Sequence, residues 1–409
     1  MSKINMCRVC DGRDLEPAVD LGRQPWANHF LSSEEKGKEP FYPLRVVWCA
    51  NCNTAQLDYT IPKETAFGRH TYLSGTTRAL NEHFRQTAKL VDTLFFAGLN
   101  KKAALDIGSN DGTQLRCYQA LGYQVLGVES AVNIAAMANE KGIPTLGEFF
   151  NLDLARRLGR KFQVINAAGV FFHLEELHSA AEAVAKLLDE DGVFVVQFLY
   201  MKDIMENLAF DQIYHEHLLY YTLQTLEKLL ERHGLTLFDA HWAPIHGGSI
   251  IAFAANGRRQ ASGRLQELRR NEQSAGVNKL ETYKAFAERI PRRKEEIREY
   301  LNRAKKAGKT IYGMGAPVKG NTLLNYCEIG AEHLGCLVEK NPLRRGLYSP
   351  GMHLPIVIEG EFARQPDIYF VLAWNFKNEI LARHRSLLSR GVEFYFPIEP
   401  KQSPASWKI

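Results

Sequence analysis

A chain of 409 residues is long enough for about two or three domains with buried cores. Its net charge of +5 is spread along the sequence, and the densest basic patches are interleaved with Glu, which disfavours a nucleic-acid partner. No apolar run approaches the roughly 18 residues of a membrane span, and the N-terminus lacks a signal-peptide core, so we expect a cytoplasmic protein with no membrane partner.

Four of the seven cysteines form two Cys-x-x-Cys pairs near the N-terminus. Cys7 and Cys10 make the first pair, Cys49 and Cys52 the second, with 38 residues between the pairs (49 − 11 = 38). Four thiolates from two turns suit a tetrahedral Zn²⁺ that staples the fold and leaves no open position for catalysis. A redox dithiol would instead need one pair at a helix start in a βαβ unit. We therefore predict a structural zinc site.

A second unit begins after residues 78–97, which have the apolar spacing of an amphipathic helix. An apolar run at 103–105 enters the loop 106–112, and an amphipathic stretch follows. Such a strand, glycine loop and helix can cradle a nucleotide-like ligand, because glycine allows close approach and the helix presents free N–H groups. Glu129 ends the next strand, 21 positions after Gly108 (129 − 108 = 21), where an acid can bind ribose hydroxyls.

The loop departs from the dinucleotide pattern Gly-x-Gly-x-x-Gly, because position 110 is Asn. Its form, Asp-x-Gly-x-x-x-Gly, is closer to the S-adenosylmethionine (SAM) loop of class I methyltransferases, although the loop alone is equally compatible with another nucleotide site. Strands then alternate with helices up to about residue 196, which predicts a mainly parallel sheet. Asn166 and His173 follow its fourth strand and fall at the ligand-binding edge.

The segment Tyr214-His215-Glu216-His217 carries unusual chemistry. Its two histidines are too close for a helical metal pair, which has His at i and i+4. In an extended segment His215 and His217 would share one face, with Tyr214 and Glu216 on the other. A metal site, hydrogen-bonded core histidines and a general base oriented by a neighbouring carboxylate all remain open.

A third unit follows the charged, helical stretch 262–308 and begins at Thr310, again as strand, glycine loop and helix, with Glu339 ending its second strand. Before it, His246 opens a Gly-Gly pair that lets the backbone approach a ligand. We predict sugar or diphosphate contacts from Lys319, Asn321 and Asn325, since a cation and amides at a helix start suit phosphate; helix capping is the alternative. Two such units indicate either a duplication or two nucleotide-bearing ligands that meet across a cleft.

Several short motifs stand in the order found in one known family. They are the two Cys-x-x-Cys pairs, Leu21-Gly22 with Pro25 and Ala27-Asn28, the loop 106–112, Tyr214-His215-Glu216-His217, His246-Gly247-Gly248-Ser249, Tyr348-Ser349-Pro350-Gly351-Met352-His353 and Ala373-Trp374-Asn375. Together they resemble the SAM-dependent C-methyltransferases of nucleotide-linked sugars, which make branched-chain deoxysugars. The resemblance covers nearly the whole chain.

The resemblance implies an α/β chain of three domains: an N-terminal zinc-binding domain (1–70), a central class I methyltransferase Rossmann-like domain (71–260) and a C-terminal Rossmann-like domain (261–409) that helps to hold the substrate. It also implies SAM and structural Zn²⁺, and C-methylation beside a ketone, at C-3 of a 4-keto-6-deoxy sugar linked to dTDP or GDP. Carried onto this sequence, His217 is the base, and the remaining catalytic positions are Tyr214, Glu216, Tyr72 and His173.

The chemistry of this reaction agrees with those residue types. Removal of a proton next to a carbonyl needs a base with a pKa near working pH, and an imidazole held by a carboxylate meets that need. Tyr214 or His173 would donate to the ketone oxygen. The predicted binding residues fall into two further groups. For SAM they are Asp106, Gly108, Asn110, Asp111, Gly112, Glu129 and Asn166, and for the substrate Lys319, Asn321, Asn325 and His246.

Two other classes of protein match single features of the sequence. An NAD-dependent oxidoreductase or epimerase would use one glycine loop, but the missing glycine at position 110 counts against it. A non-catalytic zinc-ribbon that binds nucleic acid is disfavoured by the dispersed charge. No stretch demands a partner chain, so a monomer is compatible with the sequence and the oligomeric state is open.

Overall fold

A computed structural model describes residues 2–362 and 364–400, so residues 401–409 of the predicted C-terminal domain lie outside the described part. Its strands are β1 (Ser2–Lys3), β2 (Leu15–Pro25), β3 (Phe41–Cys49), β4 (Ala55–Leu57), β5 (Tyr59–Thr60), β6 (Lys102–Ile107), β7 (Tyr123–Val128), β8 (Thr145–Leu146), β9 (Phe162–Ala168), β10 (Leu188–Leu199), β11 (Leu219–Tyr220), β12 (Leu235–Ala243), β13 (Ser249–Asn256), β14 (Ile311–Met314), β15 (Leu337–Glu339), β16 (Ile356–Ile358), β17 (Ile368–Val371) and β18 (Glu393–Tyr395).

The helices in the same ranges are α1 (Lys63–Phe67), α2 (Arg78–Val91), α3 (Thr113–Ala120), α4 (Val132–Glu140), α5 (Leu152–Leu158), α6 (Leu177–Leu187), α7 (Met201–Glu206), α8 (Leu223–Glu231), α9 (Gly263–Ala275), α10 (Leu280–Lys306), α11 (Val318–Cys327), α12 (Lys377–Arg383) and α13 (Arg385–Ser389). The helix predicted over 78–97 is confirmed to Val91 and continues as a wider turn, Asp92–Phe96. The helical stretch 262–308 is two helices, because Gly276 adopts φ +63° and ends α9.

The central sheet has the strand order β12-β13-β10-β9-β6-β7-β8. Strands β8, β7, β6, β9 and β10 run parallel, and β13 is antiparallel to both of its neighbours. The prediction of a mainly parallel sheet is therefore confirmed. Because its strands are buried on both faces, ligands can reach it only at the strand ends.

The N-terminal sheet, β11-β4-β3-β2, is antiparallel and takes one strand from the central segment. In that strand Leu219 pairs with Gln56 and Tyr220 with Ala55. The segment just after His217 is thus hydrogen-bonded to the N-terminal unit. The predicted domain boundaries at 70 and 260 remain predictions. Strand β11, which the predicted central domain supplies, lies in the N-terminal sheet, so the first boundary separates segments that share one sheet.

The C-terminal sheet is entirely parallel, with the order β16-β15-β14-β17-β18. One apolar core continues from this sheet through α10 to the N-terminal sheet; it includes Leu44, Val46, Tyr283, Ile311 and Phe370. Each side chain of this size contributes about 1.5–3 kcal/mol when fully buried. The shared core fixes the C-terminal unit against the N-terminal one.

Candidate active site

A cavity of about 410 Å³ opens between the three units. The carboxyl ends of β6, β7, β9 and β10 face it from the central sheet, and those of β14 and β15 face it from the C-terminal sheet. Its lining includes residues, mainly polar or aromatic, from all three units: His70, Tyr72, Gly108, Asn110, Glu129, Val170, His173, Tyr214, Glu216, His217, His246, Lys319, Glu339, Asn341 and Arg344. The edge predicted from the strand pattern is therefore the wall of a cavity large enough for small molecules.

The predicted SAM loop lies at one end of this cavity. Gly108 has φ +67°, and a Cβ there would lie 2.7 Å from Val170 Cγ2, so the position requires glycine. The main-chain N–H of Asn110 donates to Glu129 Oε2 at 2.9 Å, and that of Ala131 donates to Glu129 Oε1 at 2.9 Å. Each carboxylate oxygen keeps a further lone pair for a ligand hydroxyl. The loop and its acid fit the ribose of SAM.

Four predicted SAM residues do not line the cavity: Asp106, Asp111, Gly112 and Asn166. Asp111 accepts a hydrogen bond from the hydroxyl of Thr113 at 2.6 Å, and buried Asn166 accepts one from Tyr118 OH at 3.0 Å. Asp111 and Asn166 thus pair within the loop and with the helix behind it, and contact of these four residues with SAM remains a prediction.

Segment 69–77 crosses the cavity and carries Tyr72. Asn110 holds the segment from the SAM loop, since its Oδ1 accepts from Ser74 N at 2.8 Å and its Nδ2 donates to Tyr72 O at 3.2 Å. Asn341 holds it from the C-terminal unit by donating to Thr71 O at 2.6 Å. Sequence reasoning missed Asn341, because a single Asn after a strand carries no signal of a contact 270 residues away.

His217 lies in a turn and not in the extended segment considered above, in which Tyr214 would lie on the opposite face. The N–H of His217 donates to Tyr214 O at 2.9 Å, and the two rings are 3.7 Å apart between centroids. Tyr214 therefore lies beside His217 rather than on the opposite face. His215 does not line the cavity. Its ring packs edge-to-face against Tyr42, with 5.8 Å between the ring centroids. In the part of the chain that the structure describes, these histidines do not belong to a cluster of metal ligands.

The contact that orients His217 comes from a main-chain carbonyl. Nδ1 of His217 is 2.7 Å from Gln212 O, whereas Glu216 Oε1 accepts from Trp26 Nε1 at 2.9 Å. The expected carboxylate–imidazole pair is thus corrected to a carbonyl–imidazole pair, because Glu216 is turned toward the N-terminal unit. A carbonyl can only accept, so Nδ1 carries the proton and Nε2 keeps a free lone pair in the neutral ring.

The surroundings keep this imidazole neutral. Burial is the largest cause that lowers the pKa of His217 well below 6.5, and His173 adds to the effect. Burial likewise lowers the pKa of His173 to about 3. The two rings stack at 5.1 Å, and Phe67 stacks on the other side of His173 at 5.4 Å. At neutral pH the ring of His217 is therefore unprotonated, and its lowered pKa departs from the expected base with a pKa near working pH.

The predicted substrate residues divide into two groups. Lys319 and His246 line the cavity. Lys319 Nζ is 3.2 Å from Asp211 Oδ2, and burial lowers the pKa of Lys319 to about 8. Asn321 and Asn325 do not line it; their side-chain amides donate to Ala27 O and Pro350 O, at 2.7 and 3.0 Å. These amides tie loops together, and the assignment of the two residues to substrate contacts remains a prediction.

Arg344 is a cation of the cavity wall that sequence reasoning missed. It is only 4% exposed, lies 3.3 Å from Glu339 Oε2, and its Nε donates to Thr71 Oγ1 at 3.4 Å. Its guanidinium also stacks 4.3 Å from the ring centroid of Phe30. Arg344 contacts all three parts of the chain, and no local pattern distinguishes it from the neighbouring Arg345.

The four N-terminal cysteines converge as predicted. Their Sγ atoms all lie within 4.8 Å of one another, with Cys7 and Cys52 at 3.5 Å and Cys10 and Cys49 at 3.6 Å. Zn–S bonds of about 2.3 Å would place tetrahedral sulfurs roughly 3.8 Å apart, so the group fits Zn²⁺. The amide of Gln56 donates to Cys7 Sγ at 3.1 Å, which favours a thiolate.

The fold and the site together define a methyltransferase domain combined with a zinc-binding domain and a second Rossmann-like domain. Three family models match the corresponding parts: a zinc-binding domain at residues 7–67, a methyltransferase domain at 80–240 and a C-methyltransferase C-terminal domain at 244–399. Of the described helices, none is both long and apolar enough to cross a membrane.

The chain belongs to the SAM-dependent C-methyltransferase family. It is 34% identical over 408 residues to the C-methyltransferase NovU of Streptomyces niveus, an alignment that covers 97% of this chain and 96% of that protein. The resemblance stated from the motifs is therefore confirmed, as are SAM and zinc as its cofactors.

Two solved structures are similar to part of the chain. The CcbJ methyltransferase from Streptomyces caelestis is 18% identical, covers 43% of this chain and 90% of its own, and has a TM-score of 0.34. Magnesium protoporphyrin IX methyltransferase (ChlM) from Synechocystis PCC 6803 with bound SAH is 19% identical, with coverages of 44% and 88% and a TM-score of 0.34.

Proposed function

We propose that the protein methylates C-3 of a 4-keto-6-deoxy sugar linked to dTDP or GDP, in the biosynthesis of a branched-chain deoxysugar. The observation that carries this proposal is the shared cavity. It joins the loop at Gly108 and Glu129 to the neutral imidazole of His217 and to the buried cations Lys319 and Arg344. A SAM loop, a base and cations suited to a diphosphate are the parts that this reaction needs.

In the proposed reaction His217 acts as the general base. Its Nε2 accepts the proton from C-3, and the electrons of the C–H bond form the enolate. Tyr214 or His173 donates to the oxygen that becomes negative. SAM supplies an electrophilic methyl group, so a C–C bond forms as the S–CH₃ bond breaks. The carbonyl of Gln212 then accepts a hydrogen bond from the imidazolium, which later releases its proton to water.

The proposed roles of the site residues are assigned by their positions on the cavity wall. Gly108, Asn110 and Glu129 would contact SAM, with Asp106, Asp111, Gly112 and Asn166 supporting their loop. Tyr72, on segment 69–77, and Glu216, fixed by Trp26, would position the sugar between the base and the cofactor. We further propose a cytoplasmic enzyme, because zinc thiolates persist in a reducing compartment.

The test is proton exchange at the sugar, measured with the cofactor product S-adenosylhomocysteine (SAH) bound. The wild-type enzyme should exchange the C-3 proton of a dTDP- or GDP-linked 4-keto-6-deoxy sugar with D₂O, and methylate it when SAM is supplied. His217→Ala should slow both reactions by roughly 10²-fold or more without changing SAH affinity, because only the base is lost.

His215→Ala is the matched control, since it removes a neighbouring imidazole that does not line the cavity. It should retain the wild-type exchange rate. A His217→Ala enzyme that turns over at the wild-type rate would remove His217 from the mechanism. Binding of NAD⁺ in place of SAH would overturn the proposal itself.

A further inference from the structure

The short turn Phe210–Gln212, just before His217, is tied to the C-terminal unit by one carboxylate. Asp211 is completely buried, and its Oδ2 accepts from Lys319 Nζ at 3.2 Å and from Trp374 Nε1 at 2.7 Å. Lys319 Nζ also lies 3.5 Å from the ring centroid of Trp374. Since a buried charge is costly unless it is paired, Asp211 holds these two partners tightly.

The next residue in the turn supplies the carbonyl that orients His217. Gln212 O accepts from His217 Nδ1 at 2.7 Å, and the Gln212 side chain donates to His246 O at 3.1 Å. Within the turn, Gln212 N donates to Ala209 O at 3.0 Å, and Ile213 N donates to Phe210 O at 3.0 Å. The direction of the carbonyl is therefore set by how the whole turn is anchored.

The indole of Trp374 also contacts the loop that carries His246. Gly247 has φ +90°, and a Cβ there would lie 2.5 Å from Trp374 Cη2, so the loop that carries His246 lies directly against the indole. Trp374 is thus held between the carboxylate of Asp211 and the backbone of Gly247. Both anchors of Gln212, its own turn and the carbonyl of His246, rest on this one indole.

We propose that Asp211 is a positioning residue, which fixes the tautomer and the aim of His217 by anchoring the Gln212 carbonyl to Lys319 and Trp374. This inference rests on the proposed function, because it concerns the proposed base. It makes the C-terminal unit part of the machinery for proton removal, in addition to any contact it makes with the substrate. A merely structural ion pair would affect stability and leave the ring of His217 unchanged.

Asp211→Asn tests the inference, because it keeps the shape and an acceptor for the indole but removes the charge that Lys319 requires. In protein labelled with ¹⁵N-histidine, the wild-type ring of His217, identified by its loss in His217→Ala, should show a proton on Nδ1 and none on Nε2. In Asp211→Asn the two tautomers should mix. Exchange of the sugar proton at saturating sugar nucleotide should slow by roughly tenfold, with SAH affinity within about twofold of wild type.

Asp92→Asn is the matched control. Asp92 Oδ1 also pairs with a lysine, Lys102 Nζ, at 2.6 Å and accepts from an aromatic side chain, Tyr123 OH, at 2.9 Å, but none of these three residues lines the cavity. It should leave the His217 signals and the exchange rate at their wild-type values. If Asp211→Asn does not fold, Trp374→Phe serves instead: it removes one hydrogen bond to Asp211, keeps the ion pair, and should shift the tautomer in the same direction by less.

Unchanged ring signals in a folded Asp211→Asn enzyme would overturn the inference, even if its melting temperature falls. So would a loss of exchange equal to that of Asp92→Asn. The ring signals need no substrate, so the absence of any active sugar nucleotide would count against the proposed function while the tautomer still tests Asp211.

Discussion

The two Rossmann-like units share one arrangement at the cavity, an acid that binds a loop N–H, but the two acids have different partners. In the central unit Asn110 N donates to Glu129 at 2.9 Å; in the C-terminal unit Ala316 N donates to Glu339 at 2.8 Å. In both, the acid at the end of the second strand holds the loop that follows the first.

The difference between the two acids lies in the basic side chains beside them. Glu339 Oε2 is 3.3 Å from the guanidinium of Arg344, whereas Glu129 Oε1 lies 3.8 Å from the imidazole of His70. A permanent, buried cation pairs with Glu339 within the protein, whereas no Lys or Arg of the described residues forms an ion pair with Glu129. We propose the element of the central unit as a ligand site, whereas the corresponding acid of the C-terminal unit is paired with a cation of the protein.

Substitution of the two loop glycines should give the largest difference between the units, measured as the loss of SAH affinity. Gly108 and Gly315 have φ +67° and +81°, and an added Cβ would lie 2.7 Å from Val170 Cγ2 and 2.9 Å from Ala373 Cβ. Alanine in this backbone region costs about 1–2 kcal/mol before any steric clash. Calorimetry should show SAH affinity reduced about 30-fold or more by Gly108→Ala, and unchanged by Gly315→Ala. An equal loss of SAH affinity in both variants would show that the two loops do not differ in cofactor binding.

Neutralising the two acids should give a smaller contrast. Glu129→Gln keeps one oxygen acceptor for ligand hydroxyls but loses the charge, a loss of about 1.4 kcal/mol, so SAH should bind roughly tenfold more weakly. Glu339→Gln leaves Arg344 buried without its counter-charge, so its melting temperature should fall while SAH affinity stays within about twofold. Weaker SAH binding by Glu339→Gln would show that the C-terminal acid also serves the cofactor.

The pH profile examines the base that lies between the units. Burial lowers the pKa of His217 well below 6.5, so the ring stays neutral as the pH falls through 6.5 and becomes charged only below it. Activity should therefore persist at pH 6.5, with the acid limb of kcat/KM lying at lower pH, as measured with the sugar nucleotide below saturation. A half-maximal rate at pH 6.5 or above would show that His217 is solvated like an ordinary histidine.

Much of the site could be predicted where the chemistry is local in the sequence. Two Cys-x-x-Cys turns already place thiolates in pairs, and a glycine loop between strand and helix already places Gly108 and Glu129 at one sheet edge. The turn at His217 could not be predicted from alternation, because its conformation depends on anchors outside the segment. Leu219 pairs with the N-terminal sheet on one side, and Asp211 pairs with the C-terminal unit on the other.

The sequence by itself determined the zinc ligands, the parallel central sheet and the SAM loop, because each depends on spacing within one element or between neighbouring elements. Only the tertiary structure decided that Gln212 rather than Glu216 contacts the imidazole of His217, that Arg344 and Asn341 reach the cavity, and that Asn321 and Asn325 do not. Those contacts join residues far apart in the chain, and burial, rather than residue type, decides which polar groups must pair with one another.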